Sequence, residues 1–426
     1  MPIETQYLAA VATDSQHGQG AAATNLLERF VGADVAVSQA QDRIKAALGL
    51  AQGDELAPLL GNDLVVARAK SRPLAAWVVK DEPALRAILS SQVTRHRLAK
   101  QPSSGGYERY ARAGAAAVAR KGPLIVVGDP ISVNEALATQ AQGAGMTPRL
   151  FGERLRGLPA DSLLRIEGNA ALIPFAQRSK VPWVRSLNRF ALTVRADASG
   201  LHARLRAATT PVSPDDVPLA PHAPPPAPLS RANGATAGIS DLRHVIRAGL
   251  RALKASDPST YRRYDIARRA LKLLRRGDID RDVVDQLGGT ATLWSPDLRT
   301  FTLTARVADP SRMARALNGL KPLMGRLLAA AGLSGARYGV TGNTFVATTT
   351  PGPSLAQLAA GSPARIDSLT GAVTGVIRAS VLRQTLIDRL GLPPIASLAL
   401  GALGDATFAA GATTSGLDAQ ADVSIR

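Results

Sequence analysis

"GPLIVVGDPISVNEALA", Gly122 to Ala138, is the stretch on which the fold turns. Four apolar residues read as a strand, and Gly128, Asp129 and Pro130 form a corner. The run that follows reads as a helix with Asp129 as N-cap and Pro130 in the first turn, where a missing N–H costs little. Alone, the corner resembles the phosphate cradle at a helix entrance. Its counterpart in the second half is "GNTFVATTTPGPSLAQLA", Gly342 to Ala359, with threonines in place of Gly128 and Asp129. A strand, corner and helix recur without the cradle, so the corner marks a unit of structure.

Other segments correspond in the same order. "LAPLLGNDLVVARA" (Leu56 to Ala69) faces "DVVDQLGGTATLWS" (Asp282 to Ser295), and "PLAAWVVKDEPALRAIL" (Pro73 to Leu89) faces "FTLTARVADPSRMARAL" (Phe301 to Leu317). In the second pair, Asp81 and Asp309 are the expected N-caps. "DSLLRIEGNAALI" (Asp161 to Ile173) faces "GAVTGVIRASVLRQTLI" (Gly371 to Ile387). The final pair, Leu187 to Thr209 and Leu403 to Arg426, reads as two hairpins with Ser-Gly turns, where Gly200 and Gly416 are expected to supply a positive φ.

This order predicts an α+β protein of two duplicated units, each a mainly antiparallel sheet with helices packed on a face. The first unit spans 1–208 and the second 239–426, the latter opening with a basic helical pair. Between them, 209–238 is Pro-rich and reads as an extended linker, since its prolines lack the N–H groups that a helix or central strand uses.

Bulk properties narrow the function. The 426 residues contain no cysteine, which excludes disulfides, thiol catalysis and thiolate metal sites. The five histidines are scattered, without an H-E-x-x-H pair. No G-x-S-x-G or Walker loop occurs, so no catalytic residue is assigned and an enzyme is not the expectation. A net charge of +18 invites a polyanion partner, but aromatic residues make up only 4%, too few for the stacking platforms of a nucleic-acid binder. The longest apolar stretch, Gly391 to Gly404, is interrupted by Pro393 and Pro394 and is shorter than the roughly 20 residues of a membrane helix.

Three local features are candidate sites. Gly18 and Gly20, with Ala23, give a G-x-G-x-x-A pattern before a helix, a weak nucleotide-binding signal because Thr13 to His17 separate it from the preceding strand. Asp278, Asp280 and Asp282 give a D-x-D-x-D run of hard oxygen ligands, although Val283 and Gly289 stand where a calcium loop needs Gly and Glu. An acidic helix start that complements the macrodipole is the preferred reading of them. The helical pair within 239–277 is Arg-rich, and Arg262, Arg263, Arg268, Arg269, Lys272, Arg275 and Arg276 are candidate polyanion contacts.

The ordered set "PLLGNDLVVARA", "AAWVVKDEPALRAIL", "PLIVVGDPISVNEALA" and "LPADSLLRIEGNAALI", followed by the segment from Ile239 to Gly289, resembles the bacterial domain of unknown function 3352 family. The resemblance runs from about Tyr7 to Arg426 apart from the Pro-rich segment. It implies a secreted or lipoprotein-like protein and supplies no catalytic residues. An extracytoplasmic or cell-envelope location then requires a signal upstream of the present start; with Met1 as the true start, the location is cytoplasmic.

The first functional reading is a non-enzymatic, extracytoplasmic binding or envelope-associated protein, with an apolar ligand held between sheet and helices and no cofactor. Two alternatives stay open. One is an anionic-surface binder, of lipid or polyanion, through the Arg-rich helices; the other is a nucleotide-using enzyme through the Gly18–Gly20 loop.

Overall fold

The computed structural model describes residues 5–31, 38, 42, 59–69, 72–111, 117–273, 278–330, 335–366, 369–390 and 400–426. Arg275 and Arg276 lie outside these residues.

The architecture is α+β, built on one large antiparallel sheet. In the first half its strands are β1 (Tyr7–Val11), β2 (Leu64–Ala69), β3 (Arg72–Val78), β4 (Ala99–Ser104), β5 (Tyr107–Ala111), β6 (Ala117–Lys121), β7 (Leu124–Gly128), β8 (Leu164–Asn169), β9 (Leu187–Asp197) and β10 (Gly200–Thr209). The second half supplies β11 (Ala235–Ile239), β12 (Ala291–Ser295), β13 (Thr302–Arg306), β14 (Arg337–Thr341), β15 (Thr344–Thr348), β16 (Val373–Ile377), β17 (Leu403–Thr413) and β18 (Gly416–Ile425). From edge to edge the order is β4, β5, β6, β7, β3, β2, β1, β8, β9, β10, then β18, β17, β16, β11, β12, β13, β15 and β14. Every pairing is antiparallel, as hairpin connections permit.

The two halves match in register as well as in strand order. Ala10 pairs with Arg165 and Val65, Val65 with Ala76, and Ala76 with Val126. In the second half, Gly238 pairs with Thr374 and Thr292, Thr292 with Thr304, and Thr304 with Val346. Each row crosses five strands and places its side chains on one face of the sheet.

The halves meet where β10 pairs with β18. The register is symmetric about Arg204 and Gln420: Gly200 faces Ser424 and Ala208 faces Gly416. Polar pairs lie on either side of this centre, His202 with Asp422 at 2.8 Å and Arg206 with Asp418 at 2.9 Å. A Cβ on Gly200 would stand 2.0 Å from the carbonyl oxygen of Val423, and one on Gly416 would stand 2.3 Å from that of Ala207. Close approach across the junction is therefore what both glycines share. The positive φ expected of both is found at Gly200, at 150°, and not at Gly416.

Helices cover both faces of the first half, because β6 and β7 are apolar at consecutive positions and need burial on each side. On one face, helix Glu82–Thr94 sets Leu85 and Leu89 against Trp77, Ile125 and Val127. Each buried leucine contributes about 2 kcal/mol. On the other face, helix Pro130–Ala141 packs Val133 and Ala136 against Leu74, Ala119 and Val126. Its start is capped by Asp129, whose carboxylate accepts from the Ile131 and Ser132 backbone N–H groups at 2.8 and 3.0 Å. Asp81 caps its helix in the same manner, and the Asp309 carboxylate accepts from the Arg312 N–H at 3.0 Å. In the second half, Leu242 from helix Leu242–Ser256 joins Met313 and Leu317 over Ala291, Ala305 and Val307.

The Pro-rich segment departs from its expected form. Residues 235–238 belong to β11, paired on both sides within the sheet, because the prolines end at Pro228 and leave these N–H groups free to bond. The part before β11 carries a 3-10 turn at Pro214–Asp216 and packs against the second half instead of spanning solvent. Val217 and Ala220 are buried, at 0% and 6% exposure. A Cβ on Gly238 would lie 2.9 Å from side-chain atoms of both Pro226 and Pro228. The strap is anchored by its few available polar groups: the Leu229 N–H donates to Thr292 Oγ1 at 2.7 Å, and Ser240 Oγ donates to the Pro224 carbonyl at 2.6 Å.

Candidate functional site

An apolar cavity of about 530 Å³ lies on the first half's sheet, beneath the segment that follows helix Pro130–Ala141. Its floor comes from β1, β2, β3 and β7 through Ala10, Val65, Ala76 and Leu124. Its roof is Met146, Pro148, Phe151 and Leu155, carried on and around the helix Pro148–Arg154. That helix is started by Thr147, whose hydroxyl accepts from the Leu150 N–H at 3.1 Å, with Pro148 at its first position. Small floor residues, Ala10 and Ala76, leave space below the roof where larger side chains would fill it.

The roof is fixed to the sheet by charge. Arg154 Nη1 donates to Glu167 Oε1 on β8 at 2.7 Å, and the two side chains are only 12% and 4% exposed. The remaining charges collect at the cavity's more exposed end: Asp63, paired with Arg165, and Arg156.

The equivalent place in the second half has different chemistry. Thr374, Gly238, Thr292 and Thr304 occupy the register of Arg165, Ala10, Val65 and Ala76, and Pro226 and Pro228 sit directly on Gly238. The cavity beside them, about 590 Å³, is lined by Thr292, Thr304, Arg306 and Asn343 as well as Leu229. One scaffold position is thus apolar and roofed by a helix; its counterpart is hydroxyl-lined and walled by the strap.

Gly18 and Gly20 open the helix Gly18–Leu27. A Cβ on Gly20 would fall 2.0 Å from the Asp14 carbonyl oxygen, so the backbone's own return across the helix start accounts for this glycine. The neighbouring Asp14 carboxylate accepts from the Gln16 N–H at 3.0 Å and lies 3.0 Å from His17 Nδ1, placing negative charge beside the position a pyrophosphate would occupy.

Asp278, Asp280 and Asp282 each face a cation. Asp278 caps the short helix Ile279–Asp282 and lies 3.3 Å from Lys272, Asp280 pairs with Arg268, and Asp282 lies 2.6 Å from Arg312 and 3.1 Å from Arg281. Burial works against the charge on Asp282, but the Asp278 backbone N–H, Arg281 and Arg312 outweigh it and hold the pKa down to about 2. Among the described residues no group of His, Asp and Glu is arranged to hold a metal ion.

The basic candidates divide. Arg268 and Arg269 both pair with Asp265, at 2.8 and 2.7 Å, while Arg262 and Arg263 are exposed without a carboxylate partner among the described residues. These residues belong to helix Pro258–Leu273, which also exposes Ile266 and Leu273, at 62% and 82%. The preceding helix sets Leu242 and Ile246, four residues apart on one face, against the sheet. No helix among the described residues is long and apolar enough to cross a membrane.

One constellation escaped the sequence because one member, Asp422, lies 220 residues from His202. Ser199 Oγ lies 3.2 Å from His202 Nε2, and His202 Nδ1 lies 2.8 Å from Asp422 Oδ1, the order of a catalytic triad. The surroundings argue against that chemistry. Ser199 Oγ donates to Asp197 Oδ1 at 2.6 Å, and Asp197 Oδ2 stands 3.1 Å from His202 Nε2, so a carboxylate takes both the serine proton and the imidazole nitrogen nearest to it. The group is a polar staple on the β9–β10 turn.

No family model and no curated protein matches the chain. Among solved structures, crystal form III of the protein TP0453 is similar with a TM-score of 0.30 and 10% identity, over 50% of this chain and 79% of that one. Crystal forms IV and I of the same protein give 0.28 each, at 12% and 11% identity, over 48% and 49% of this chain and 76% of TP0453.

Proposed function

We propose that this chain is a non-enzymatic binding protein that holds an apolar small molecule between the first half's sheet and the helix Pro148–Arg154. The observation that carries this reading is the cavity of about 530 Å³, whose lining includes the buried Leu8, Ala10 and Leu155. Ligand cavities fall at roughly 300–1,000 Å³ and are mostly apolar with a few polar groups, as here. The test uses the apolar fluorophore N-phenyl-1-naphthylamine. It brightens with the parent protein, and Ala76→Trp, which fills the floor, abolishes the signal while the fold is retained. An unchanged signal in a folded Ala76→Trp variant places the probe elsewhere and refutes the reading.

The resemblance to the domain of unknown function 3352 family supports an extracytoplasmic, envelope-associated setting for this binder. We read the two halves as copies of one unit; the recurrence of one strand order, β8, β1, β2, β3, β7 and β16, β11, β12, β13, β15, supports a duplication. Fractionation of cells expressing the full-length gene tests the location, and recovery of all the protein from the cytosol opposes it.

A second reading is favoured by the exposure of Ile266 and Leu273 beside Arg262, Arg263 and Arg269. A basic helix with unburied apolar side chains suits the interface of an anionic lipid surface. The expected result is binding to phosphatidylglycerol vesicles but not to phosphatidylcholine vesicles, weakened by salt and by Ile266→Ser/Leu273→Ser. Binding that ignores both perturbations refutes it.

A further inference from the structure

Charged groups are distributed unevenly around the first-half cavity. The lining is apolar except at Thr147, Asp63, Arg156 and Arg165, and the three charged residues comprise two cations and one anion. Arg165 lies in the floor row itself, directly opposite Ala10 on β1, so a guanidinium takes a place that its register mate Thr374 fills with a hydroxyl. Its side chain is 23% exposed. One terminal nitrogen goes to Asp63, while Nε is buried without a hydrogen-bond partner. Arg156 is exposed and has no carboxylate partner among the described residues; its backbone carbonyl accepts from Arg206 at 3.0 Å.

A half-buried guanidinium beside apolar floor residues has a donor to spare, and a buried donor left unmade costs free energy. Leu8 and Leu155, at 3% and 7% exposure, line the buried part of the same cavity. We infer that the ligand is a single-chain amphiphile whose anionic head is taken by Arg165 and Arg156 and whose hydrocarbon chain lies between β1, β2 and β3 and the roof helix. This inference rests on the binding reading above and specifies the chemistry of its ligand. Arginine suits the role because its planar fork of donors matches a carboxylate or phosphate and stays charged at any physiological pH.

The test compares palmitate, hexadecanol and 1-palmitoyl-lysophosphatidate below their critical aggregation concentrations, by isothermal titration with the full chain. Palmitate or lysophosphatidate is expected to bind at least roughly tenfold tighter than hexadecanol, the scale of a charge-assisted hydrogen bond. Whichever of the two binds more tightly identifies the head as carboxylate or phosphate. Arg165→Gln reduces the preference for the anion to less than about threefold while leaving hexadecanol binding in place, and Arg156→Gln, at an exposed position, reduces it in part. Equal binding of palmitate, lysophosphatidate and hexadecanol by the parent overturns the anionic head while sparing the apolar cavity. Failure of all three to bind overturns the cavity reading itself. If Arg165→Gln does not fold, the Arg156→Gln result and the parent's alcohol-to-acid ratio decide the matter.

Discussion

Replacing Arg154 by Met tests how the cavity roof is held. Glu167 is 3% exposed as a residue, and Arg154 Nη1, at 2.7 Å, is the side-chain partner its carboxylate has among the described residues. Removing the cation leaves a buried carboxylate without compensation, a change that costs about 3–5 kcal/mol. Glu167→Gln exchanges the charge for an amide and costs less, about 1–3 kcal/mol. The double variant Arg154→Met/Glu167→Met puts apolar volume in place of both charges and returns to within about 1 kcal/mol of the parent, because desolvating the pair offset most of its attraction. Urea unfolding followed by tryptophan fluorescence reads these values. With a slope of roughly 3–4 kcal/mol per M for a chain of this size, Arg154→Met lowers the midpoint by about 1 M. Arg154→Met within about 0.5 kcal/mol of the parent would show that Glu167 finds solvent or another partner, and the roof would then be held by apolar contacts alone.

Three other outcomes are expected. Asp282 has a folded-state pKa of about 2, below its ordinary 3.8, so its stabilisation is complete above about pH 4 and is lost as pH falls through 2. The stability difference between the parent and Asp282→Asn is therefore flat from pH 7 to about 4 and shrinks below that in acid titrations of the unfolding midpoint. Gly238→Val drives a side chain into Pro226 and Pro228 and costs about 1–3 kcal/mol by overpacking, with new protease cuts appearing between residues 209 and 234 in limited digestion. Asp129→Ala removes the cap on helix Pro130–Ala141 and costs about 1 kcal/mol in thermal melts, with Asp129→Asn nearly neutral.

The sequence revealed much that is local. Asp81, Asp129 and Asp309 were legible as N-caps because capping depends on residues three or fewer apart. The paired hairpins and the antiparallel sheet followed from alternating runs and turn residues. Gly20 and Gly416 show where such reading stops: one suggested a phosphate and the other a positive φ, and both instead make room for a backbone carbonyl oxygen, of Asp14 and of Ala207. The cavity was anticipated only as a possibility of the fold class, since Ala10, Ala76 and Arg165 share a floor through pairings that span the first half, with Phe151 brought over them by a separate helix. Ile266 and Leu273 stand seven residues apart, on one side of their helix, but such spacing does not say whether another element covers that side, and here none does among the described residues.

The β10–β18 junction has a consequence for assembly. Its register is symmetric about Arg204 and Gln420, so each half presents to the other nearly the same edge. The match is in the backbone alone: Arg204 and Arg206 on β10 meet Asp422 and Asp418 on β18, so each edge favours the other over a second copy of itself. Joining both edges in one polypeptide makes their association unimolecular and independent of concentration. One chain also lets the two halves differ in what covers their sheets, an apolar chamber under a helix on one side and a proline strap on the other, an asymmetry that a dimer of identical chains cannot encode.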